Sequence, residues 1–83
     1  MKKSTEFKSV KKFVNENHSL ELFRISKNYI IIRSLNGHNI TVKNEGGLFP
    51  FTLTIIDNND LPLHNRGYKT QGDMVKYLAK VYE

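Results

Sequence analysis

The chain has no cysteine. That absence removes disulfides, a thiolate nucleophile and cysteine-ligated zinc together, and it makes the cytoplasm the expected compartment. Long apolar runs are missing too. None approaches the roughly 18 residues of a membrane span, and Met1, Lys2 and Lys3 lead into an amphipathic segment, where a signal peptide would carry a continuous apolar core. Histidines at ligand spacing are also lacking: His18, His38 and His64 share none of the short spacings that set two ligands on one face. Asp57-Asn58-Asn59-Asp60 has the side chains of a calcium loop. The glycine and bidentate glutamate that such a loop needs are replaced by Pro62 and Tyr68. No metal and no cofactor is expected. The carboxylates are scattered singly and no serine or lysine stands beside a base, so acid/base and nucleophilic catalysis lack their groups. The chain reads as a protein that is not an enzyme.

What is present is the composition of one folded domain. With 83 residues, 39% hydrophobic and 25% charged, the chain can build one core and not two, so 1–83 is read as a single domain. Phe7, Val10, Phe13 and Val14 recur at helical spacing and predict a helix over about 5–16, capped by Ser4 or Thr5 with Glu6 in its first turn. The period then changes. Strands are predicted over about 20–26 and 29–35, joined tightly around Lys27, because both stretches are rich in β-branched and aromatic residues. Asn36-Gly37 predicts a two-residue type I′ turn into a strand over about 38–44. That turn would pair Leu35 with His38, Arg33 with Ile40 and Ile31 with Val42, and would put them with Tyr29 on the core face. Ile30, Ile32 and Thr41 would point away.

A fourth strand is predicted over about 50–56, opening at Pro50, with an irregular loop over 57–69. Thr70 and Asp73 suit a capping box, and Met74, Leu78 and Val81 supply the stripe of a helix over about 71–82. The expected fold class is α+β: an N-terminal helix, a four-stranded antiparallel meander and a C-terminal helix, both helices on one sheet face. This order is similar in architecture to double-stranded-RNA-binding domains. Those carry basic residues where this chain reads Gln71-Gly72-Asp73-Met74, and they have one strand fewer, so no residue role is transferred. Phe23, Tyr29, Phe49 and Phe51 are assigned to the core. The expected core also holds Phe7, Val10, Phe13, Leu22 or Phe23, Ile31, Ile40, Val42, Leu53, Ile55, Leu78 and Val81.

Charge supplies the functional signal. The formal net charge is +5, and Lys2, Lys3, Lys8, Lys11 and Lys12 against Glu6 place +4 of it in the first twelve residues. Such asymmetry favours an anionic partner, nucleic acid or an acidic protein surface, with Lys8, Lys11 and Lys12 as one stripe on the first helix. Arg66 and Lys69, ahead of the last helix, are further phosphate candidates, opposed by Asp73 in the first turn. The expected function is non-enzymatic binding of nucleic acid or a nucleic-acid-bearing complex. The alternative is a protein-interaction module, small inhibitor or homodimer acting through a sheet edge or a face bearing Ile30, Ile32, Thr41 and Ile56. In its abundance of lysine, asparagine and isoleucine, the chain resembles accessory proteins of phages and mobile elements.

Overall fold

In the computed structural model, which describes residues 7–82, the elements run α1 (Lys8–Asn15), β1 (Leu20–Ile25), β2 (Tyr29–Ser34), β3 (Asn39–Asn44), β4 (Phe51–Ile56), β5 (Pro62–Tyr68) and α2 (Gln71–Tyr82). The two helices and antiparallel meander follow the sequence reading, but the sheet has five strands, ordered β1-β2-β3-β4-β5. The additional strand lies in the stretch read as a loop. Its composition hides it: Pro62 and Gly67 argue against a central strand, whereas an edge strand pairs on one side only and tolerates proline at its start. Asp57 builds the turn that feeds it, its Oδ1 accepting the N–H groups of Asn59 (2.8 Å) and Leu61 (2.9 Å).

The register of β2 differs from expectation. Ile30 pairs with Val42 and Ile32 with Ile40, so Ile31 and Val42 point to opposite faces. The turn is the cause. Gly37 N–H donates to the Ser34 carbonyl and Ser34 N–H to that of His38, both at 3.1 Å, which leaves Leu35, Asn36 and Gly37 as a three-residue loop. Gly37 has φ 90° while Asn36 does not enter the left-handed region, the pattern of a type I turn closed by glycine. The Ser34 hydroxyl donates to Asn36 Oδ1 and accepts the His38 N–H (3.0 Å), fastening this shape. One extra loop residue shifts the pairing by one and inverts every side chain of β2.

The core therefore takes Ile30 and Ile32 in place of Ile31. They pack with Leu20, Ile40, Val42, Leu53 and Ile55 against Phe7, Val10, Val14, Met74 and Leu78. Phe13 and Leu22 sit at its border, Phe23 is 52% exposed, and Val81 is exposed rather than buried. Both helices cover this one sheet face, α1 against β1 and α2 against β4 and β5. Phe7 occupies the N-cap of α1 with φ 60°, a left-handed conformation costly for a bulky residue. Its buried ring, edge to face with Phe51 at 6.4 Å, holds it there. The expected caps Ser4 and Thr5, with Glu6, lie outside the described residues.

Candidate functional site

The first amides of α1 find their acceptor on the other helix. Ser9 N–H donates to Gln71 Oε1 at 3.0 Å and Val10 N–H reaches the same oxygen at 3.4 Å, across 62 and 61 residues of sequence. At the opposite end, Asn17 Nδ2 donates to the Tyr82 carbonyl (3.2 Å). The two helices thus run side by side in the same direction. Lys8 adjoins the first contact and Lys69 precedes Gln71 by two residues, so basic groups remote in sequence meet at one end of the fold.

The β5–α2 connection is built to present cations there. Lys69 Nζ lies 5.9 Å from the centre of the Phe49 ring, and the Arg66 guanidinium 5.7 Å from that of Tyr68. Phe49 itself sits over Gly67, where a Cβ would come within 3.0 Å of the Phe49 Cβ. Lys43 belongs to the same end, since its partners are Tyr29 and Thr52, and Thr52 pairs with Gly67. Thr70 Oγ1 accepts the Asp73 N–H at 3.1 Å, as a capping threonine should.

The lysine stripe of α1 is uneven. Lys8 is exposed, Lys11 is half-buried, and Lys12 pairs with Glu16 at 3.6 Å one helical turn on. That is the one ion pair among the described residues. Lys2 and Lys3 lie outside them. The far end of the molecule carries Glu16, Asp57 and Asp60, and Gly37 packs against Asn58 there.

No family model, curated protein or solved structure matches the chain.

The interaction face expected from Ile30, Ile32, Thr41 and Ile56 does not exist as one surface. Ile30 and Ile32 are fully buried beneath the helices, while Thr41 and Ile56 are half-buried on the opposite side of the sheet. The edges are poorly suited to pairing as well: β1 carries a bulge between Leu22 and Arg24, and β5 opens on Pro62 beside an irregularity at Ile55 and Ile56. Conversely, aromatic residues assigned to the core turn out to be accessible. Phe23 and Phe49 are each more than half exposed and Tyr29 is half-buried on the helix-free face. Arg33 in a core position was the one signal in the sequence that the assumed register was inverted.

Two histidines are engaged rather than free. His38 Nδ1 and Tyr82 Oη share a hydrogen bond (2.9 Å), so His38 is half-buried at the hairpin and not a solvent-facing strand residue. His64 stacks on Tyr77 at 4.1 Å and bonds through Nε2 to Tyr68 Oη (2.8 Å). Burial, and then the charge of Arg66, lower its pKa below 6.5. Among the described residues no three His, Asp or Glu side chains are grouped to hold a metal ion, and no helix is long and apolar enough to cross a membrane.

Proposed function

We propose that this is a small non-enzymatic nucleic-acid-binding protein that contacts phosphates through its basic end. The observation that carries the reading is the Gln71 contact with the amides of Ser9 and Val10. It joins Lys8 to Lys69 and Arg66 at the end of the sheet that also carries Lys43 on its other face; none of the four forms an ion pair among the described residues, although Glu45 and Asp73 lie at the same end. Lys2 and Lys3, which lie outside the described residues, are further cations near the start of the sequence. Phosphate neutralisation releases condensed counterions, so affinity should fall steeply as salt rises.

The test is a titration of fluorescent DNA at increasing salt. Binding near 50 mM salt that weakens with a slope of several log units per log salt supports the reading. Lys8→Gln and Lys69→Gln together should flatten the slope by about 1.4 to 1.8 and weaken all sequences alike. An absence of binding even at low salt would overturn it.

A further inference from the structure

Among the described residues no helix lies on the second face of the sheet, and its side chains are of a particular kind. Cross-strand pairing places Arg24, Ile31, Thr41, Thr54 and Asn65 in one row. Glu21, Arg33, Asn39 and Ile56 flank it on one side, and Tyr29, Lys43 and Thr52 on the other. Three cations thus stand with two carboxylates, Glu21 and Glu45, the latter accepting the Thr52 hydroxyl at 3.2 Å. Arg33 is held in place: its guanidinium lies 4.0 Å from the centre of the Phe23 ring and its Nε–H donates to Asn39 Oδ1 at 3.2 Å. Among the described residues none of these cations has a carboxylate within ion-pair distance.

We propose that this face takes a single strand of nucleic acid, with Phe23 and Tyr29 as stacking platforms and Arg24, Arg33 and Lys43 on the phosphates. The inference rests on the nucleic-acid reading above and adds which form is bound and where. A flat sheet does not enter the major groove, which admits a helix or a two-stranded ribbon, so exposed rings here serve only bases that are already unstacked. Thr41 stands between the cations, and Thr54 and Asn65, whose side chains share a hydrogen bond at 3.5 Å, continue the polar surface across β4 and β5, which suits sugar and base edges rather than an apolar partner.

The full-length protein is titrated into an oligodeoxythymidine of about twelve nucleotides and, separately, a duplex of similar length, both fluorescently labelled. Tighter binding of the single strand is expected, and Phe23→Ala and Arg33→Gln should each weaken it roughly ten-fold while sparing the duplex and the melting temperature. Lys8→Gln with Lys69→Gln should weaken both probes. Folded Phe23→Ala and Arg33→Gln proteins that keep parental affinity for the single strand overturn this inference and leave the basic-end reading standing. Binding of neither probe by the parent overturns both. A dimer in sedimentation that Ile31→Lys converts to monomer would make the face a self-interface and overturn the proposal.

Discussion

Individual side chains show how closely the chain is fitted. An alanine methyl at Gly67 would sit 3.0 Å from the Phe49 Cβ, so the half-exposed Phe49 would have to give by a few tenths of an ångström. Gly67→Ala should therefore cost only about 1 kcal/mol or less in urea unfolding, because Phe49 is free to move outward. His64 gives stability a pH dependence of known sign. Its folded pKa lies below the ordinary 6.5 because burial and Arg66 both disfavour the charged ring. The unfolded chain takes up that proton first, so the contribution is fully present above pH 6.5 and is lost as pH falls through the lower folded value. The urea midpoint should decline below pH 6.5 more steeply in the parent than in a His64→Gln variant, and identical profiles would refute the assignment. Tyr82 works in the opposite direction. Burial, with Tyr77 second, pushes its phenol up to about 12. Stability from this group holds below pH 10 and is lost between 10 and 12, and an ultraviolet titration of Tyr82→Phe should lack the phenol at about 12 while Tyr68, also raised by burial, still titrates.

At the scale of elements, the bounds of β1 to β4 and of α2 were legible to within about a residue. What failed did so for local reasons. Tyr29-Ile30-Ile31-Ile32-Arg33 has three consecutive isoleucines, so its apolar pattern does not choose a face, and the choice passed to the turn. Asn-Gly serves both a two-residue turn and a three-residue loop ending in left-handed glycine; the Ser34 hydroxyl, bonded to Asn36 and His38, favours the second. β5 was missed because its edge position relaxes the rules that composition encodes. The capping of α1 by Gln71 was invisible in sequence since donor and acceptor are 62 residues apart. Gln71→Ala removes the acceptor of two N–H groups and should cost about 1 kcal/mol, as loss of an N-cap does. Gln71→Glu keeps an oxygen and adds charge suited to the helix N-terminus, so it should melt at or above the parent. Equal loss in both variants would show that the contact is not a cap.

Over the whole molecule, Lys8, Lys43, Arg66 and Lys69 gather at one end, with Glu45 and Asp73 among them, while Lys80 and Arg33 lie toward the other. The lysine-rich start of the chain was visible in the sequence, but the approach of Lys8 to Lys69 depends on the two helices lying parallel, which no local pattern dictates. The same geometry separates a site from mere net charge. Lys69 lies at the basic end, while Lys80 lies near the other end of α2, roughly 13 Å beyond Gln71 at about 1.5 Å per residue. That distance exceeds the Debye length of about 8 Å at physiological salt, so a charge at Lys80 is screened from a phosphate held at Lys69. Lys69→Gln and Lys80→Gln change the net charge equally. If binding is localised at the basic end, Lys69→Gln should lower DNA affinity and flatten the log-log salt slope by about 0.7 to 0.9, and Lys80→Gln should leave both within error. Equal effects of the two substitutions would mean that the protein is drawn to polyanions by its overall charge, with no phosphate held at the junction of α1 and α2.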